Sequence, residues 1–304
     1  MNQRYEKYIV ICVAGQSNAV GYDESSVELT GLYQCKNPYR IKQLGFYGKD
    51  NLNLIDLSYC AQSMQDLRPH NNADSATPGT KGIHLPLANL MLEHIPQDYG
   101  VLMLPISYGG TAFTAGVDGT YDSTLKKPLE TGSGEGTAIL KWGKDTAYYQ
   151  TLRDRIIYAL NLHPENKFGG IIWCQGENDA SNPEAHFPAF QEMTESLFTS
   201  LNEAGLGNRV PKGIWDKDIW YNMETVSYWY TLDGCIKIWN NYKAWNPKTY
   251  IEIPRNTDSN EINGTGQTAS IRGAHFGNNS YANIIAPRVL NKLLERNAFP
   301  KNQM

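Results

Sequence analysis

The chain has 304 residues, of which 41% are hydrophobic and 19% charged, with a formal net charge of −4 and a pI near 5.9. That length supports one large α/β domain with a sizeable core, and mild acidity with scattered basic residues gives no electrostatic footprint for nucleic acid or an anionic membrane. No segment approaches the ~18 apolar residues of a membrane span.

The first element in the chain is the run "YIVICVAG" (8–15), near-continuously apolar, as in a strand covered on both faces. It stops at Gln16-Ser17-Asn18. The start "MNQRYEKYIVICVAG" runs straight into this strand with no leader, which points to a cytoplasmic enzyme, with a periplasmic or released one as the alternative. The polar stretch 21–80 follows, then a helix over 84–95 ("HLPLANLMLEHI") and a strand over 100–107 ("GVLMLPIS"). A second polar stretch, 111–146, leads to a helix over 147–163, a strand over 168–176 ("FGGIIWCQG") and a helix over 185–205 that Gly205 stops. Strands over 210–216 and 249–254 and a helix over 281–297 complete the order.

Strand alternating with helix predicts a doubly wound parallel sheet with right-handed crossovers, an α/β fold of the flavodoxin-like three-layer α/β/α kind, in a single domain over 1–304. There is no internal repeat, and "TGSGEGTA" (131–138) reads as a flexible insert. The two polar stretches far exceed ordinary connections, and loops of that length in a compact domain are functional or disordered. Five cysteines at irregular spacing, with no CxxC pair, fit a reducing compartment, and Cys12 and Cys174 fall within strand runs as small buried thiols. Abundant aromatics in polar surroundings, among them 19 Tyr and 7 Trp, suit a carbohydrate-like ligand.

Open parallel sheets bind ligands beyond the carboxyl ends of their strands. Three such ends carry "GQSNAVG", "SYGGTAFTAG" and "WCQGENDA". A serine there can be a nucleophile with its own N–H aimed at a developing oxyanion. Gly109 and Gly110 let backbone N–H groups approach a substrate, and Gln175 adds a donor that does not titrate, giving a three-donor oxyanion hole. Taken alone, Ser-Asn after a strand is an ordinary helix cap and Gly-Gly an ordinary turn. Glu177 and Asp179 are too close in sequence for a glycosidase pair. No GxxxxGK[ST] and no GxGxxG follows a strand, so a phosphate cradle is unsupported, and with no CxxC pair for zinc the expectation is an enzyme without metal or cofactor.

The serine needs a base. His84, His94, His163 and His186 fall in or beside helices, where packing accounts for them, and His70 lies in a long loop that could touch ligand. His275 sits in the Gly-flanked "SIRGAHFGNNSYANII", after the last strand and before the last helix, on the edge of the sheet where Ser17 stands.

Several stretches together carry a resemblance: "VAGQSNA" (13–19), "RIKQL" (40–44), "GGTAFTAGVDGTY" (109–121), "KWGKDTAYYQ" (141–150), "WCQGEND" (173–179) and "HF" (275–276). In this order they resemble the SGNH (GDSL-like) hydrolase superfamily, in its G-Q-S-N carbohydrate-esterase branch, and more closely the bacterial and prophage-encoded sialate O-acetylesterases. The resemblance implies Ser17 as nucleophile, His275 as base, an oxyanion hole from the Ser17 and Gly110 amides with Gln175, and removal of acetyl, foremost 9-O-acetyl, from N-acetylneuraminic acid. A monomer is the expected state.

The superfamily's D-x-x-H puts an acid where this chain has Arg272. His275 is then oriented by a carboxylate from elsewhere, Glu177 or Asp179 being nearest, or by a backbone carbonyl in a Ser–His dyad, the reading favoured here. Arg272 is freed to hold a sugar carboxylate, with Arg68 and Arg40 in reserve. The rivals are an acetylxylan-type esterase, which needs no cation for a carboxylate, and a sialic-acid-binding module, which would have no need to keep Ser17, Gln175 and His275 together.

Overall fold

Three of the apolar runs become the centre of one sheet. In the computed structural model these are β1 (Tyr8–Gly15), β4 (Gly100–Ser107) and β7 (Lys167–Cys174). The structure describes residues 7–24, 31–70, 78–130, 139–210, 216–257, 273–277 and 280–301. In chain order, α1 (Ser17–Val20), β2 (Ile41–Leu44), β3 (Leu54–Asp56) and α2 (His84–Met91) lie between β1 and β4. A small hairpin of β5 (Tyr121–Asp122) and β6 (Lys127–Pro128) precedes α3 (Ala147–Asn161). After β7 come α4 (Pro183–Glu203), β8 (Trp220–Asn222), α5 (Asp233–Trp245) and α6 (Ala286–Glu295).

The sheet order is β3-β2-β4-β1-β7-β8. Every pairing is parallel except β2 with the edge strand β3, so the expected parallel sheet is a mostly parallel one. All eight residues of β1 and of β4 are buried, so both faces are covered, which is why these strands are continuously apolar rather than alternating. The helices fall into two groups, α2 with α6 and α3 with α4 and α5. Among the described residues no helix is long and apolar enough to cross a membrane.

Two expected strands change. Within 210–216, residues 211–215 lie outside the described residues, and the strand beside β7 is Trp220–Asn222 instead. The run 249–254 makes only one bridge, Ile251 to Met223. Helix α5, with four buried residues on one side, had no counterpart in the sequence reading.

α3 carries a buried cation. Arg155 is 1% exposed, and its guanidinium lies 3.8 Å from the centre of the Phe46 ring. It donates to the carbonyls of Gly45 and Lys126 and, at 3.0 Å, to Asn51 Oδ1. The arginine thereby ties α3 to the turn after β2 and to the β5–β6 hairpin. Burial lowers its pKa to about 9.

Candidate active site

β4, β1 and β7 lie side by side in register, Gly15 facing Ser107 on one side and Cys174 on the other. Their carboxyl ends therefore meet, and the three motifs expected to converge do so. Gln16 N–H still bonds to Cys174 O at 2.9 Å, while the N–H groups of Ala19 and Val20 already return to Gln16 O. The Ser17 amide, at the first position of α1, precedes that ladder, and Ser17 is 7% exposed.

On the β4 side, Gly109 N–H donates to Gln65 Oε1 at 2.7 Å. A Cβ on Gly109 would lie 2.7 Å from Gln65 Oε1 and 2.8 Å from the Tyr22 hydroxyl, so a side chain there would displace those two ends. The Gly109 N–H, expected to face substrate, has Gln65 Oε1 as its protein acceptor. Gly110 differs. It is exposed, has φ +75°, and the nearest atom to a Cβ there would be Asn178 Nδ2 at 3.9 Å. Its face is open to a ligand.

Gln175 is buried between the two loops. Its Nε2 donates to Thr111 O at 2.8 Å and to Gln16 Oε1 at 3.1 Å, and its Oε1 accepts from Thr111 Oγ1 at 3.3 Å. Both amide hydrogens therefore have protein acceptors, the longer bond going to a neutral amide.

His275 is held at the same place by Asn18, the residue after Ser17. Asn18 Nδ2 donates to Ala274 O at 3.4 Å, and Asn18 Oδ1 accepts from Phe276 N–H at 3.3 Å. One side chain thus grips the backbone on both sides of the histidine. Tyr22 stacks on the imidazole with ring centres 4.6 Å apart. His275 is 6% exposed, and its Nδ1 has no hydrogen-bond partner among the described residues. Burial pushes its pKa down to about 4.

Neither candidate carboxylate touches the imidazole. Asp179 accepts from the N–H groups of Phe113 and Thr114 and from Thr114 Oγ1, and meets His186 Nδ1 at 2.6 Å. Burial alone would raise its pKa, but His186 and these donors bring the carboxyl below its ordinary value. It organises the loop after Gly110. Glu177 Oε1 accepts from Asn18 Nδ2 at 3.0 Å and from Thr225 Oγ1 at 2.8 Å, and burial raises its pKa.

Of the cations, Arg272 lies outside the described residues. Arg40 sits at the amino end of β2, donating to Tyr99 O and Pro96 O at 2.9 Å each, away from the strand ends that carry Ser17. Arg68 forms two bonds to Asp66, at 2.7 and 2.6 Å, and its guanidinium lies 4.9 Å from the centre of the Tyr47 ring. Tyr47, Met64 and Tyr108 help to line a cavity of about 330 Å³, closed from the other side by Lys127, Leu129 and Tyr148. Both long polar stretches supply its walls, and Ser17, Gly110, Gln175 and His275 are not among its lining residues. Among the described residues no three His, Cys, Asp or Glu side chains gather as metal ligands.

Sequence reasoning missed Asn18, Tyr22, Gln65 and Thr225. The signal for Asn18 was present in G-Q-S-N, but only its serine received a role. For the others only three-dimensional proximity reveals the role.

The family of carbohydrate esterases described as sialic acid-specific acetylesterases matches residues 129–211. The probable 9-O-acetyl-N-acetylneuraminic acid deacetylase of Escherichia coli (strain K12) is 33% identical over 238 residues, covering 73% of this chain and 68% of that protein. The crystal structure of NanS superposes with a TM-score of 0.81 at 26% identity, over 95% of this chain and 97% of that one. A protein from Arabidopsis thaliana, at 12% identity and TM-score 0.59 over 95% and 98% of the two chains, shares the fold. With a serine, a histidine and open amides at the carboxyl edge of an SGNH-like sheet, the chain is a carbohydrate esterase. Within that class it belongs to the sialic acid-specific acetylesterase family.

Proposed function

We propose that this chain removes the 9-O-acetyl group of N-acetylneuraminic acid through an acyl-enzyme on Ser17. The observation that carries the reading is the Asn18 clamp, which fastens the segment bearing His275 to the residue that follows Ser17. Ser17 Oγ attacks the acetyl carbonyl while His275 takes its proton. The tetrahedral intermediate collapses, its C–O bond to the sugar breaks, and His275 returns the proton to the sugar oxygen. Water, deprotonated by the same histidine, then releases acetate and restores Ser17.

The oxyanion lies between the N–H groups of Ser17 and Gly110. Gln175 is the third donor: a developing negative charge binds an amide N–H more strongly than the neutral Gln16 carbonyl does, so it displaces that longer bond. The histidine works without a carboxylate in direct contact, as a dyad. The acetyl position follows the name of the Escherichia coli relative, and the cavity at the ends of β2 and β4 is of a size to take a sugar. Arg272 is the proposed holder of the substrate carboxylate.

The test is acetate release from 9-O-acetyl-N-acetylneuraminic acid against acetylated xylan, with wild type and Ser17→Ala. Strong preference for the sialic acid, and a loss of several orders of magnitude in the variant, is the expected outcome. Faster hydrolysis of the xylan would make the neutral-sugar esterase the correct reading.

A further inference from the structure

Position 272 carries arginine where the resemblance would place an acid, and His275 Nδ1 has no protein partner among the described residues. A buried carboxyl nevertheless stands two bonds away from the histidine's backbone. We propose that Glu177 is the positioning residue for His275, acting through the side-chain amide of Asn18. The inference rests on the assignment of Ser17 and His275 proposed above.

The geometry turns on which way an amide faces. The two ends of an asparagine side chain are nearly the same shape, and only their partners decide where the NH2 and the carbonyl lie. Asn18 must present its carbonyl to Phe276 N–H and its NH2 to Ala274 O. Glu177 Oε1, at 3.0 Å, accepts from that NH2. A flipped Asn18 would set oxygen against oxygen at Glu177 and at Ala274 and donor against donor at Phe276, losing its bonds to Glu177, Thr225, Ala274 and Phe276. Glu177 thereby reinforces the one orientation that grips both flanks of His275.

Thr225 holds Glu177 in turn: its hydroxyl donates to Glu177 Oε1 at 2.8 Å and accepts from Asn18 Nδ2 at 3.2 Å. Tyr281 closes the cluster from the far side, donating to Asn18 O at 3.2 Å. Glu177 is 2% exposed, and its second oxygen, Oε2, is buried without a hydrogen-bond partner among the described residues. A carboxyl so placed is costly to bury, which a purely space-filling role would not explain.

The experiment compares wild type, Ser17→Ala, Glu177→Leu and Glu177→Gln on acetylated sialic acid and on nitrophenyl acetate, with active sites titrated by a fluorophosphonate. Glu177→Leu is expected to lower kcat per active site by roughly 10- to 100-fold on both esters with KM little changed, as misplacing a base by a fraction of an ångström does. The acid limb of its pH–rate profile should move up, because a loosened imidazole gains water and its pKa rises. Glu177→Gln keeps an acceptor oxygen and should recover most of the loss. Unchanged kcat per site and an unchanged acid limb in Glu177→Leu would overturn the proposal. If Glu177→Leu does not fold, Thr225→Val removes one bond to the same oxygen, and full kcat with an unchanged acid limb in Thr225→Val would overturn it equally. Activity surviving in Ser17→Ala would instead remove the nucleophile assignment on which the proposal stands.

Discussion

Gln175 and His275 make the sharpest statements about chemistry. Gln175→Ala removes a donor that acts mainly on the transition state and should cut kcat by roughly 10²-fold or more with little change in KM; a change confined to KM would make it a sugar contact. His275, as the proposed base, must be neutral to act, and burial brings its pKa to about 4. Activity should therefore persist as pH falls through ~6.5, the ordinary imidazole value, and decline only toward pH 5 and below. A pH–rate profile of kcat/KM checks this, and the same rates should survive EDTA, since no step of the proposed mechanism uses a metal. Arg272→Ala should weaken hydrolysis of acetylated sialic acid by about tenfold or more and leave nitrophenyl acetate nearly untouched, because only the first substrate offers a carboxylate. Equal losses on both esters would move Arg272 into the support of His275. Much of this site was legible in the sequence because strand-end serine, glycine and glutamine stand next to unmistakable apolar runs. The role of Asn18 was not, since an amide with five long-range hydrogen bonds is written with the same letter as one that caps a helix.

At the scale of elements, β1 and β4 occur with the boundaries that their apolar runs define, whereas β8 and α5 escape such reading. A three-residue strand has no period to detect, and α5 carries polar residues on most of its turns, four buried side chains being enough to dock it. α3 is fixed by a device that periodicity cannot show. Arg155→Ala would leave the carbonyls of Gly45 and Lys126 without their donor and open space against Phe46. The variant should lose about 3 kcal/mol or more of stability, as when a buried charged group is deleted from its partners. Chemical denaturation with circular dichroism measures the loss, and a change below ~1 kcal/mol would show that water replaces the guanidinium. Because the β5–β6 hairpin contributes Lys127 and Pro128 to the cavity wall, the same variant should also raise KM for the sugar.

For the whole molecule, two buried histidines set the response to acid. His84 and His275 each have a pKa lowered to about 4 by burial, against ~6.5 in the unfolded chain. Between those values the unfolded state binds protons that the folded state refuses, so stability is complete above pH ~6.5 and is lost as pH falls toward 4. Melting temperatures measured across that range should decline, and His84→Gln, which removes one of the two titrating groups, should flatten the decline. The Asn18–Phe276 contact joins residues 258 positions apart. Nearly the whole chain must be in place before it can close, and closure of so long a loop is the last kind of contact that folding can reward. On refolding from denaturant, the sheet's tryptophan fluorescence should therefore return before acetyl hydrolysis does. The enzyme would spend an interval as a finished scaffold with no activity, and so would be silent toward its substrate while still being synthesised.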